Sequence, residues 1–205
     1  MTVEIPCRAD SILRFPGSSV IKSCILTEDF PIQGILFKKG SIVGFDEAGR
    51  PWRCNVSEDT AIGLLICKAG SEVEFFPGGG IQSCVVSGES IIDGVPTAAG
   101  SLVMFHENGR LFKCDLSQNL TIQGLPVLAQ TDICFFDEGS LSACSLSKDY
   151  SIDGILCRAG TRVWLWENGR LKACTTGRDV SIQGVLYKAG ELVVFREDRA
   201  LVNYR

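Results

Sequence analysis

Histidine is almost missing from this chain. His106 is the only one among 205 residues, so no Ser/His/Asp or Cys/His catalytic set can be assembled from the sequence. An excess of basic charge is missing too. The 20 Lys and Arg residues are outnumbered by 24 Asp and Glu, for a net charge of −4. Nucleic acid is therefore excluded as a partner, because binding it needs a basic face that displaces counterions. Long apolar runs do not occur. Nothing reaches the roughly 18 consecutive apolar residues of a membrane span, and Met1 to Phe15 is broken by Glu4, Arg8, Asp10 and Arg14, unlike a signal peptide. The expectation is a soluble, cytoplasmic protein with no membrane association. Helical periodicity is also absent: no segment combines apolar residues at i, i+3, i+4 and i+7 with helix caps.

What the chain does have is a strict period. Cysteine falls at 24, 54, 84, 114, 144 and 174, and isoleucine at 32, 62, 92, 122, 152 and 182. Glycine falls at 40, 70, 100, 160 and 190, with Gln130 the one interior departure. Phenylalanine falls at 15, 45, 75, 105, 135 and 195, with Leu165 filling the gap. Four families of positions at one interval of 30 residues are the signature of a repeat architecture. A unit of 20 residues starts at 5, 35, 65, 95, 125, 155 and 185, and connectors of 10 residues separate the copies. The last copy runs from Val185 to Tyr204, and residues 1–205 read as a single repeat domain.

The copy from Ile155 to Gly184 shows how one period is built. Ile155-Leu156-Cys157 reads as a short strand, and Arg158-Ala159-Gly160-Thr161 as a turn that uses the conformational freedom of Gly160. Val163 and Leu165 alternate with Arg162, Trp164 and Trp166, the period-2 pattern of a strand with one buried face. Glu167-Asn168-Gly169-Arg170 reverses the chain. Asn-Gly between apolar runs predicts a two-residue hairpin turn with positive φ at both residues. Leu171 to Thr176 returns, with Cys174 expected on the same side as Lys172 and Thr176. In most copies that last position is larger and apolar, as at Leu26, Leu116 and Leu146.

The connector places short polar residues such as Ser147 and Asp149 where they can bond their own backbone. Asp153-Gly154 and Asp93-Gly94 then signal a second hairpin. Gln33-Gly34, Gln123-Gly124 and Gln183-Gly184 are softer versions of it, and Ile62-Gly63-Leu64 predicts a different turn. Each period thus holds about four short strands, two of them only three or four residues long.

The expected fold class is all-β: tandem 30-residue β-hairpin repeats forming an elongated β array or solenoid. Closure into a small β-propeller-like ring is the alternative, although 30 residues is short against the roughly 40 or more of common propeller repeats. The end copies carry charge that would protect an open edge. Arg196-Glu197-Asp198-Arg199 replaces the neutral turn, and Asp10 the repeat glycine.

The cysteines tempt a metal or disulfide reading. Each is alone at its place in the repeat, and Cys134 and Cys144 are too far apart for a paired ligand motif. A column of small buried thiols is the expectation, with no metal, no disulfide and no cofactor. Cys7, Cys67 and Cys157 share a second position with Phe37, Thr97, Val127 and Tyr187, an interchange that suits packing. His106 sits beside a hairpin tip and reads as solvated. The tip charges Glu47, Glu107 and Glu167 with Arg50, Arg110 and Arg170 read as surface charge. Trp52, Trp164 and Trp166, with Phe76, Phe112, Phe136 and Tyr187, remain. Some must face outward because Val, Phe and Cys take the inward places. Cross-strand pairing and binding are both open for them. Trp52, Trp164, Trp166, Arg110 and Arg170 are the candidate binding residues, and no residue is a catalytic candidate.

Glu107-Asn108-Gly109-Arg110-Leu111 and Glu167-Asn168-Gly169-Arg170-Leu171 resemble the hairpin tip of MORN-type and YwqK-like antitoxin repeats, and of the YD repeats of Rhs proteins. The chain lacks the later paired glycines of MORN repeats and has a longer period. The resemblance implies an all-β array that acts through its surface, as a scaffold or as an immunity protein, and it transfers no catalytic residue. The functional expectation is a non-enzymatic scaffold for protein–protein interaction. An immunity or antitoxin-type binding protein and a carbohydrate-binding β-fold are the alternatives. The last predicts a groove that combines Trp52, Trp164 or Trp166 with carboxylates.

Overall fold

A computed structural model describes residues 4–198, 200 and 201. The end of the last copy at Tyr204, and Arg199 of the charged turn, lie outside the described residues. The chain divides into two compact units, one of residues 1–90 and 99–109, the other of residues 91–98 and 110–205.

In the first unit the strands Leu13–Arg14, Ile21–Ile25, Ile42–Phe45, Pro51–Asn55, Glu72–Phe75, Ile81–Val85 and Leu102–Phe105 form an antiparallel ladder in that order. In the second, Leu111–Asp115, Asp132–Phe135, Leu141–Ser145, Arg162–Leu165, Leu171–Thr175 and Leu192–Val194 do the same. Each connector folds into a separate two-stranded hairpin of three-residue strands, such as Thr60–Ile62 with Leu65–Cys67 and Tyr150–Ile152 with Ile155–Cys157. Strands of successive copies therefore pair edge to edge, where a propeller would give each copy its own sheet. An all-β array of antiparallel hairpins is the architecture of each unit.

The inner face of each ladder explains the period. In the first unit a single row of cross-strand partners runs Cys24, Val43, Cys54, Val73, Cys84, Val103. In the second, Cys114 faces Ile133, Cys144 faces Val163 and Cys174 faces Val193. Every one of these side chains is buried, with exposure of 0–1%. A small thiol opposite a β-branched side chain fills a narrow slot at high density, and both residues suit the pleat. The buried cysteine column expected from the sequence is thus present, but not as free thiols throughout: Cys24 is bonded to Cys7.

The small hairpins close over this face. Four of them are hooked to a ladder by a bridge at the end of the second strand, at Cys67↔Val86, Thr97↔Leu116, Val127↔Leu146 and Cys157↔Thr176. Leu116 and Leu146 are buried at these bridges, and Leu26 at its bridge to Cys7. Thr176 is buried in the same place because its hydroxyl donates to Lys188 O at 2.6 Å, which satisfies a group that would otherwise be costly to bury.

Four local expectations need correction. Asn108 and Asn168 do not adopt positive φ; only Gly109 (82°) and Gly169 (76°) do. At the second tip, Gly169 N donates to Trp166 O and Trp166 N to Arg170 O, both at 2.8 Å. This is a longer loop, with a type I turn followed by a left-handed glycine. The ladder register shifts beside it, between Trp164 and Leu165. That irregularity breaks the alternation, so Lys172 is exposed while Cys174 and Thr176 are buried.

The Gln-Gly turns are not softer than Asp-Gly. Gln33, Gln123 and Gln183 take φ of 49–50°, matching Asp93 and Asp153, and each is followed by a left-handed glycine. Ile62-Gly63-Leu64 does differ as expected: Gly63 carries the positive φ and Leu64 follows it fully exposed. The connector carboxylates reach beyond their own turns. Asp29, Asp59, Asp149 and Asp179 accept the backbone N–H ten residues on, at 2.7–2.9 Å, and so tie the two ends of each small hairpin together. Among the described residues one 3-10 turn, Ala9–Ser11, forms where Asp10 replaces the repeat glycine. Without a residue suited to left-handed φ, the chain tightens there instead.

Candidate functional site

The outer faces of the two ladders hold the charged and aromatic residues that alternate with the buried rows. In the second unit, Asp132, Cys134, Arg162 and Trp164 belong to two strands that both pair with Leu141–Ser145. The Arg162 guanidinium contacts Asp132 Oδ1 at 2.6 Å and Cys134 Sγ at 3.2 Å, and lies 5.9 Å from the Trp164 ring centre. Lys113 Nζ reaches the other Asp132 oxygen at 3.2 Å. Burial works to raise the Asp132 pKa, but Lys113 and Arg162 hold it below the usual carboxylate value. Burial pushes the Cys134 thiol up despite Arg162, so this thiol is not a primed nucleophile.

The first unit carries a related network. Arg53 contacts Glu74 at 2.7 Å and Glu72 at 3.5 Å, and its guanidinium lies 5.0 Å from the Trp52 ring centre. Arg53 and then Ser83, which donates to Glu74 at 3.1 Å, keep the Glu74 carboxyl ionised below its ordinary pKa against some burial. The charges in both networks are spent on one another. They shape a polar surface without leaving a carboxylate pair with split pKa values, which acid–base chemistry would use.

The candidate residues fall in several places. Trp52 is 42% exposed on the first ladder. Trp164 is 37% exposed on the second, and Trp166 is half-buried at the end of the same strand, with Lys172 Nζ 4.4 Å from its ring centre. Trp166 Nε1 is buried without a hydrogen-bond acceptor. Arg170 is exposed at the adjoining tip. Arg110 instead lines a cleft of about 390 Å³ in the second unit with Asp93, Leu111, Phe135, Glu138 and Gly139. Its Nη1 donates to Glu138 O. A smaller cleft of about 180 Å³ is lined by Asp153, Ile155, Leu171, Ile182, Gln183 and Phe195. Neither cleft has a tryptophan in its wall, so the groove that a carbohydrate-binding reading predicts is not found in these two.

Two sets of residues were not anticipated. The first is the turn acceptor. Asp93 Oδ2 and Asp153 Oδ2 accept the N–H of Leu111 and Leu171 at 2.8 and 3.0 Å, and Gln123 Oε1 accepts that of Leu141 at 2.9 Å. The signal was the recurrence of Asp or Gln at this position in five of its six occurrences, Gly63 being the exception; both side chains offer a carbonyl-type acceptor. The second is an apolar side chain at the centre of several small hairpins. Leu36, Ile66 and Leu186 are exposed at equivalent places, whereas Pro126 at the same position is buried. The sequence hinted at it, since those strands are apolar throughout and only alternate residues can face inward.

Among the described residues there is no group of three or more His, Cys, Asp or Glu side chains that could hold a metal ion, and no helix long and apolar enough to cross a membrane. No protein-family model and no curated protein matches the chain.

Proposed function

We propose that this chain is a non-enzymatic repeat scaffold that binds another protein through its outer surface. The observation that carries the reading is the exposed apolar side chain at the middle of three of the small hairpins. Leu36 and Ile66 in the first unit and Leu186 in the second hold the same position of the repeat and are exposed. Large apolar side chains left on the surface at one repeated position suit burial against a partner. The outward tryptophans add to this. Trp52 and Trp164 each lie near an arginine of their own strand, and Trp and Arg are the residue types most enriched among binding hot spots. The opposing networks of Asp132 and Glu74 give such a surface a charge pattern that a partner can read for register.

The test is affinity capture from the source cells, followed by binding measurements with the purified partner. Wild-type protein should bind saturably. Ile66→Asp and Trp164→Ala, each checked for an unchanged circular dichroism spectrum, should weaken binding at least tenfold. A partner held equally well by all three proteins would refute the assignment of the surface. An immunity or antitoxin role is the narrower form of this function, and a secreted toxin as the captured partner would select it. The compartment is open to the same chemistry. The Cys7–Cys24 bond favours an oxidising environment, because disulfides rarely persist in the cytosol, and this weighs against the cytoplasmic expectation.

A further inference from the structure

The expectation that no cysteine is disulfide-bonded fails at one place. Cys7 and Cys24 form a disulfide, with their Cα atoms 5.7 Å apart, inside the range a disulfide requires. The bond joins the first copy's short strand position to the buried thiol column. Its reason is the repeat geometry. Residues 17 apart in sequence are brought face to face wherever such a bridge forms, here between Cys7 and Leu26.

That frame recurs wherever cysteine occupies both places. At the first, Cys7 bridges Leu26, Arg8 N donates to Ile25 O at 2.8 Å, and Thr27 N donates to Pro6 O at 2.9 Å. At the second, Cys67 bridges Val86, Lys68 N donates to Val85 O at 2.8 Å, and Ser87 N donates to Ile66 O at 2.9 Å. At the third, Cys157 bridges Thr176, Arg158 N donates to Thr175 O at 2.9 Å, and Gly177 N donates to Leu156 O at 2.7 Å. The three backbones agree bond for bond. Cys67, Cys84, Cys157 and Cys174 are free thiols in this structure, and within each pair the neighbouring thiol is the main cause that raises the pKa of Cys67 and of Cys157. All four thiols are buried at 0% exposure.

We propose that Cys67–Cys84 and Cys157–Cys174 are two further disulfide sites, built on the same backbone frame as Cys7–Cys24. The oxidant is a small disulfide such as glutathione disulfide. One protein thiolate attacks it, forming a mixed disulfide and releasing one glutathione thiol. The second protein thiolate then attacks the protein-side sulfur and releases the other. Two protein thiols lose two electrons in all, one small disulfide gains them, and the two protons leave on the glutathione thiols. Because the closed fold shields these sulfurs, the bonds form during folding, when the oxidant can reach them. Each bond staples one small hairpin to its ladder. The inference is independent of the protein-binding reading.

The test is reduction and unfolding, refolding in a glutathione redox buffer, then denaturation, alkylation and intact mass. Of the ten cysteines, three bonds leave four to be alkylated: Cys54, Cys114, Cys134 and Cys144. Peptide mapping should recover Cys67 linked to Cys84 and Cys157 linked to Cys174. Eight alkylated thiols, or Cys84 or Cys174 linked to any other cysteine, would overturn the proposal. Val127→Cys supplies a second check, because Val127 holds the same bridge position, against Leu146. That variant should gain a bond to Cys144 and leave three alkylated thiols. Five, with Cys144 among them, would show that the frame does not direct pairing.

Discussion

Replacing Cys144 separates packing from chemistry at the thiol column. Its side chain is fully buried and faces Val163 across the strands, and it has no cysteine at the facing short-strand position, where Val127 stands. Cys144→Ala removes one sulfur. Lost burial of a group a little larger than a methylene costs about 1 kcal/mol. A cavity of roughly 20 Å³ adds about 0.5 kcal/mol at about 24 cal/mol per Å³. The total is about 1.5 kcal/mol. Cys144→Ser keeps the volume nearly constant but buries a hydroxyl, at a cost of about 1–3 kcal/mol in mutational data, in addition to the lost sulfur transfer. Serine should therefore be the worse replacement, although it is the closer isostere. Urea unfolding followed by circular dichroism gives both values from the shift in midpoint at constant slope. A serine variant as stable as wild type, or an alanine variant that loses binding while keeping stability, would refute packing as the role of this thiol.

Three other outcomes follow from the same geometry. Burial raises the thiols of Cys54 and Cys144 to about 12 and that of Cys114 to about 11. In the unfolded chain these thiols ionise near pH 9, so their protonated burial stabilises the fold fully below that pH. The stabilisation is lost as pH rises toward 11 and 12, at up to roughly 1.4 kcal/mol per pH unit for each thiol. Stability that stays flat between pH 9 and 11 would contradict this. Gly160 holds φ of 70° in the turn before the strand Arg162–Leu165, so Gly160→Ala should cost about 1–2 kcal/mol in thermal or urea unfolding; an unchanged midpoint would show the turn tolerates other conformations. Cys7→Ser reopens a loop of 17 residues and should lower stability by about 3 kcal/mol by the loop-entropy estimate, whereas melting identical to that of the wild type would count against it.

The repeat made much of this fold legible. A period carried by Cys, Ile, Gly and Phe marked the boundaries of the short strand Ile155–Cys157 and located the hairpin reversals. It also placed Val163 and Leu165 inward and Trp164 outward. What it hid was geometry between residues distant in sequence. Asp149 looked like a local turn former, but its acceptor serves Ala159 across a hairpin. Asn168-Gly169 looked like a two-residue turn, because propensity cannot see the bulge that lengthens the loop. Cys7 and Cys24 looked unrelated because their spacing matches no ligand or local disulfide pattern, and only the bridge between Cys7 and Leu26 brings them together. The outer surface was partly readable: the exposed tryptophans were expected, while the partnering of Arg162 with Asp132 and the exposed Leu36, Ile66 and Leu186 depended on strand register.

Amide hydrogen exchange tests the in-register repeat most directly. If one module is copied along the chain, slow exchange should recur every 30 residues. It should mark the hooking N–H groups of Lys68, Leu128 and Arg158, and the tips at Ala48 and Asn168 should exchange fast in every copy. Protection confined to one stretch of the chain, or protection with no period, would contradict a fold built from equivalent copies.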